Sequence, residues 1–295
     1  MGTVTTFDPV TEHERTRAAL AAAVPRLVAL LRAVPDPDAG SGVPEWTVGD
    51  VGAHLAAVYL AYTSLVSPDE AVEWDDVLPS GEGTSGGGTS GGGTFVERIT
   101  AMNARSVTLF GGEDRAKVPD FVAERGETFL RVTEGLAPDT PVSAPWYGEV
   151  PFTLATVTGL LLSETLVHGL DVARGARLPW PIGDDEARLV LGQSMPTMMA
   201  AALDPVRARG VRIAFDLAIK GGPRLAVVVD DGTVTVTRDA PPRAYDCRIV
   251  AAPAAFLLVS FRRTPIWKAV ASGRMRAGGR KPWLAPRLGR LVTGP

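Results

Sequence analysis

Apolar residues recur at helical spacing through roughly the first 180 residues of this chain and then switch to alternation, so the chain reads as two folding units. TEHERTRAALAAAVPRLVALL, residues 11–31, is a helix in which Pro25 predicts a kink or break. Thr47 followed by Asp50 forms a capping box that starts a second helix at Val48, with Trp46 placed to staple onto Val51. Helical patterns resume over 95–109, over 118–136, and from the PWYGEVP loop to about Arg174, and another helix is expected over 184–203. The period then changes. VRIAFDLAI and RLAVVVDDGTVTVTRD alternate β-branched residues, the second around Asp231-Gly232, a hairpin signal. YDCRIVA is a further strand, Pro253 fits the first turn of a helix through Phe261, and PIWKAVASG is a short helix with Gly273 beyond its end. The expected fold class is α plus α+β, with a helical bundle over 1–180 and a smaller α+β domain over 181–295. Between two bundle helices, SGEGTSGGGTSGGGT at 80–94 has nothing to pack and reads as a flexible solvated loop.

Composition excludes several classes. A hydrophobic fraction of 45% with 21% charged residues is that of a soluble globular protein. The net charge of −3 argues against general nucleic-acid or membrane-surface binding by the protein as a whole. No apolar run reaches the roughly 18–20 residues of a membrane span. MGTVTTFDPVTEHERTR lacks the basic and apolar regions of a secretory signal. The single cysteine, Cys247, rules out an internal disulfide framework and fits a reducing cytoplasm.

The segment LLLSETLVHGLDVARG, residues 160–175, is strongly apolar yet carries Glu164, His168 and Asp171. Spacings of four and three put all three on one helix face, the face shared by Leu160 and Leu161, which points inward. In the second helix, His54 shares an apolar stripe with Val51, Val58 and Tyr62. The third histidine, His13, lies in a charged stretch and is expected to face solvent. Singly, each group has a simple explanation: core histidines usually hydrogen-bond to backbone, and a glutamate one turn from a histidine makes an ion pair. Together, two of the chain's three histidines and a carboxylate on inward faces fit a divalent metal, which compensates the carboxylate and accepts both imidazoles. His54, Glu164 and His168 make a three-ligand set that leaves a position open, with Asp171 a candidate acceptor orienting His168. Such donors suit zinc, iron, nickel or manganese, with zinc preferred as redox-inert.

WTVGDVGAHL together with LLSETLVHGLDVARG resembles the mycothiol-dependent maleylpyruvate isomerase family, within the wider DinB-like four-helix bundles. The resemblance implies that His54, Glu164 and His168 hold the metal. FLLVSFRRTPIWKAVASGRMRAGG looks like the sterol-carrier-like C-terminal domain of such proteins, so the likeness spans nearly the whole chain. The loop at 80–94 departs from the family pattern.

A thiol on a Lewis-acidic metal is deprotonated at neutral pH. Cys247, on a predicted strand of the other domain, is poorly placed as nucleophile, so an exogenous low-molecular-weight thiol is expected, mycothiol by the resemblance. The expected partners are that thiol and a small electrophile, with no nucleic acid and no membrane; the reaction is cis-trans isomerisation or S-transfer. A dicarboxylate such as maleylpyruvate needs cations near the metal. From Arg243 onward the chain is strongly basic, with Asp246 its only acid. This is either a solvated basic face or a source of substrate-binding arginines, Arg274 and Arg276 being the candidates. Other function classes are an apolar-ligand carrier and a metal or thiol sensor without turnover.

Overall fold

A computed structural model of the protein describes residues 7–67, 95–147, 150–238 and 244–292; the loop at 80–94 and Arg243 lie outside these. The chain divides into two compact units, one spanning Glu14–Pro181 and the other holding residues 7–13 with everything described from Ile182 onward.

The helical unit contains α1 (His13–Arg32), α2 (Val48–Ser64), α3 (Phe95–Leu109), α4 (Val118–Val132) and α5 (Leu154–Ala176). Helix α2 is at the centre, packed against α3, α4 and α5. Its start is fixed as the sequence predicts: Thr47 Oγ1 accepts from the Asp50 amide at 3.1 Å, and Asp50 Oδ2 accepts from the Thr47 amide at 2.9 Å. Arg115, in the 3₁₀ turn Gly112–Lys117, adds an ion pair to Asp50. A two-residue ladder, β1 (Pro141–Val142) with β2 (Phe152–Thr153), leads into α5, whose cap is Thr153.

Three expectations for this unit need correction. Of the kink or break expected at Pro25, the break does not occur, since α1 runs on through the proline. A proline inside a helix costs about 3 kcal/mol, but α1 buries Leu20, Val24, Leu27 and Leu30, each worth roughly 1.5–3 kcal/mol. His13 does not face solvent: it is fully buried, at the end of a segment that packs with the second unit. Helix α4 stops at Val132 rather than 136, because Gly135 takes φ +74, a conformation that leaves the helix.

The N-terminal segment docks through named contacts within the second unit. Arg188 grips Glu12 through two 3.0 Å hydrogen bonds, Gln193 Nε2 donates to the Pro9 carbonyl, and Phe7 is buried. The helix expected over 184–203 is two helices, α6 (Asp184–Gln193) and α7 (Met195–Ala201), divided at Ser194 where Pro196 withholds an amide donor. A short α8 (Pro205–Ala208) precedes the sheet.

Strands β3 (Arg212–Ile219), β4 (Arg224–Asp230), β5 (Thr233–Arg238), β6 (Cys247–Ala251) and β7 (Met275–Gly278) form one sheet in the order β5-β4-β3-β6-β7. The β3–β6 pair is parallel and the other pairs are antiparallel. The predicted hairpin turns at Asp231 (φ 47) and Gly232 (φ 89), the two positive φ values that a type I′ turn requires. Helices α9 (Pro253–Ser260), α10 (Ile266–Ala271) and α11 (Ala285–Leu291) complete the unit. Asp216, fully buried in β3, takes two hydrogen bonds from Arg224 at 2.7 and 2.9 Å and faces Arg248 at 3.3 Å. No described helix is long and apolar enough to cross a membrane.

Candidate metal centre

His54 sits two turns into α2, and Glu164 and His168 sit one turn apart on α5, the helix that packs against α2. Potential ligand atoms of the three residues all lie within 4.8 Å of one another. Glu164 Oε2 is 3.2 Å from His168 Nε2 and 3.7 Å from His54 Nε2. Donors sharing one tetrahedral ion at about 2.0–2.2 Å stand roughly 3.3–3.6 Å apart, so the two spacings from Glu164 need little adjustment.

The neighbours of each imidazole decide which nitrogen is available. Ser106 Oγ donates its proton to the Asn103 carbonyl at 2.6 Å. It must therefore accept from His54 Nδ1, 2.7 Å away, so Nδ1 carries the hydrogen and Nε2 keeps its lone pair. That Nε2 is buried and has no hydrogen-bond partner, a costly arrangement unless something else engages it. On the other side, Asp171 Oδ2 accepts from His168 Nδ1 at 3.0 Å, which likewise turns Nε2 toward Glu164. Asp171 is fully buried and its backbone carbonyl accepts from the Gly42 amide at 2.9 Å. Both histidines are thus held as a metal site needs them.

The electrostatics follow from burial and proximity. Burial pushes the His54 pKa down, and Glu164 only partly offsets this. Burial opposes charge on His168 too, but hydrogen bonds to Asp171 and Glu164 prevail and raise it to about 9. Burial alone would raise the Glu164 carboxyl, yet His168 and His54 hold it well below the ordinary carboxylate range. A cluster that keeps a carboxylate charged and collects a proton beside it already has the charge balance that suits a cation in that place.

Trp46, expected to staple onto Val51, has its ring 5.1 Å from the His54 ring and 6.4 Å from that of His168. Tyr62 and Tyr147 are buried with their hydroxyls 3.1 Å apart. Burial raises both phenol pKa values and the Glu164 charge raises them further, so both are neutral. Sequence reasoning missed Ser106 and Tyr147. Apart from Ile99, Ser106 is the buried residue of α3, a hydroxyl in a place where that helix is otherwise exposed or half-buried, and this is visible only once α2 is beside it.

Arg274 and Arg276 belong to the other unit. Arg274 pairs with Asp184 at 3.2 Å, and Arg276 is exposed on β7. Cys247 is buried on β6, and burial pushes its thiol pKa up, with Asp246 adding to the effect.

Residues 17–173, which include both helices of the site, match the sequence profile of the mycothiol maleylpyruvate isomerase N-terminal domain. The chain belongs to this family. Among solved structures, that of the mycothiol-dependent maleylpyruvate isomerase is 15% identical, over 86% of this chain and 90% of that one, with a TM-score of 0.46. A mutant of that enzyme gives 14% identity, 93% and 96% coverage, and a TM-score of 0.49. A double mutant of the sec-alkyl sulfatase PisA1 is 15% identical with a TM-score of 0.33; the match covers 64% of this chain but only 31% of the sulfatase. A comparison with curated proteins finds no match.

Proposed function

We propose that this family member is a metal- and mycothiol-dependent enzyme that delivers the thiol sulfur to a small electrophile, by cis-trans isomerisation or S-transfer. The observation that carries the reading is His54 Nε2, buried and without a hydrogen-bond partner, facing Glu164 while Ser106 takes up its other nitrogen. His54, Glu164 and His168 would hold the ion, zinc by the donor set. When bound, the ion acts as a Lewis acid that keeps a thiol deprotonated near neutral pH.

The chain's own residues supply the rest. Ser106 and Asp171 fix the imidazoles, and Trp46 flanks both rings with an apolar surface. Tyr62 and Tyr147, neutral at working pH, offer hydroxyl donors on the Glu164 side. Cys247, buried and with a raised pKa, is unsuited to attack, which supports a nucleophile from outside the chain.

With an alkene conjugated to a carbonyl, as in maleylpyruvate, sulfur bonds to one alkene carbon and the π electrons move to the carbonyl as an enolate. The former double bond rotates, and return of the electron pair expels the thiolate to leave the trans alkene. With an electrophile that carries a leaving group, the sulfur stays and the leaving group departs with its electron pair.

Elemental analysis of the purified protein, followed by assays with mycothiol and electrophiles including maleylpyruvate, tests the reading. Turnover should need both metal and thiol, and Glu164→Gln and His168→Ala should lose both properties together. Turnover of wild type without added thiol overturns the mechanism. Metal without turnover identifies a sensor, and neither identifies a carrier.

A further inference from the structure

Charge is distributed very unevenly along this chain. Residues 247–295 contain ten of the thirty lysines and arginines and none of the thirty-three acids, although the whole protein is slightly acidic. Some of these cations are neutralised by acids from elsewhere in their own unit: Arg248 by Asp216, Arg274 by Asp184, and Arg280 and Lys281 by Asp246. Arg262, Lys268, Arg287 and Arg290 are exposed.

The same stretch holds an apolar surface of a particular kind. Among the described residues, the large aromatics exposed to solvent are Trp267 (63%) and Trp283 (70%), joined by Ile266 and Val270 on α10. Spacings of three and four put Ile266, Trp267 and Val270 on one side of α10, whose buried residue is Ala269. Helix α10 leads into β7 and packs on it, and the 3₁₀ turn Pro282–Leu284 that carries Trp283 packs on β7 after the strand ends. β7 is an edge strand, and its Arg276 and Ala277 are exposed. Lys268 holds its ammonium 5.6 Å from the Trp267 ring centre.

We propose that this edge of the second unit, formed by α10, β7 and the Pro282–Leu284 turn, docks the protein onto an anionic lipid bilayer. Indole rings settle at the headgroup level of a membrane, where an apolar body and a polar N–H are both satisfied. Ile266 and Val270 reach the acyl boundary beside Trp267, and the surrounding cations meet lipid phosphates. Single-stranded nucleic acid would use the cations and the rings, but it offers no place for two exposed aliphatic side chains. Attachment is interfacial, since no described helix is fit to span. Catalysis in the helical unit would then take place beside a membrane, where apolar electrophiles concentrate.

The test uses the full-length, metal-loaded protein and sedimentation with two vesicle types, phosphatidylcholine alone and phosphatidylcholine with phosphatidylglycerol. Wild type should sediment with the anionic vesicles only, and less so near 1 M salt, where the Debye length falls to about 3 Å. Trp267→Ala/Trp283→Ala should weaken that binding by about tenfold or more. Its elution volume and metal content should stay unchanged, since both side chains are exposed. Lys268→Glu/Arg287→Glu should abolish the preference for anionic lipid. The proposal is overturned by failure of wild type to sediment, or by equal binding of the tryptophan variant. It is also overturned if the tryptophans are needed for an oligonucleotide or a self-associated dimer while vesicles are ignored.

Discussion

Ser106 on α3 fixes the hydrogen of His54 on α2: with its own proton committed to the Asn103 carbonyl, the serine oxygen can only accept from Nδ1, 2.7 Å away. Removing that oxygen frees the ring to take either tautomer and to rotate. Ser106→Ala is expected to weaken metal affinity by about 10–100-fold, the usual effect of losing such a partner. Competition against a chromogenic chelator measures it. Unchanged affinity with a folded protein would show that the serine is dispensable for the site.

Much of this arrangement was legible in the sequence where the determinants are local. Thr47 and Asp50 define the start of α2 through neighbouring amides, and the spacing of four between Glu164 and His168 puts both on one helix face. The Asp231-Gly232 turn required positive φ and announced its hairpin. What escaped depends on partners far along the chain. His13 looked solvated among charged neighbours, yet the segment ending there packs with residues 176–184 positions later, as Glu12 does with Arg188 and Pro9 with Gln193. Pro25 was a local breaker outweighed by core burial. Ser106 is 52 residues from His54, and a serine on a polar helix has no local mark of such a contact.

Metal should stabilise the folded protein measurably. A ligand present at 100 times its Kd adds about 2.7 kcal/mol, which for a chain of this size is roughly 5–10 °C in Tm. Thermal scans of chelator-treated wild type, with and without zinc, should show that rise, and Glu164→Gln and His168→Ala should not. A Tm indifferent to every divalent ion tried would remove the metal from the reading.

Gly42→Ala is expected to damage the site from the opposite side. A Cβ at this position would stand 2.5 Å from Asp171 Oδ1 and 2.8 Å from Asp171 Cα, and the second atom is backbone that has little room to yield. Loss of about 1–3 kcal/mol of stability should follow. Metal affinity should fall as well, since Asp171 orients His168. Chemical denaturation and chelator competition read the two effects separately, and an unperturbed protein would show that the loop moves aside freely.

Cys247→Ala should leave thiol-dependent turnover intact. The side chain is buried on β6, so a stability loss of about 1 kcal/mol is expected from the vacated volume. Abolition of activity in a folded, metal-loaded variant would place the nucleophile in the chain and contradict the external-thiol reading.

Acid should release a contact at the heart of the second unit. Asp246 accepts a hydrogen bond from the Ala214 amide at 3.1 Å and faces Arg280 at 3.1 Å and Lys281 at 3.2 Å. The Ala214 amide first, and then the two cations, hold its carboxyl below the ordinary range, against a smaller opposing effect of burial. A folded pKa lower than the unfolded one means that the folded state is favoured most when the group is ionised. The stabilisation is therefore complete above the unfolded value of about 4 and drains away as pH falls through the depressed folded value. Asp246→Asn removes the titrating group, so the variant should be less stable than wild type at neutral pH, with the difference narrowing below about pH 4. Urea unfolding monitored at a series of pH values compares the two directly. A stability gap that stays constant across the acid range would mean that the carboxylate is not what ties β6 to β3 at that point.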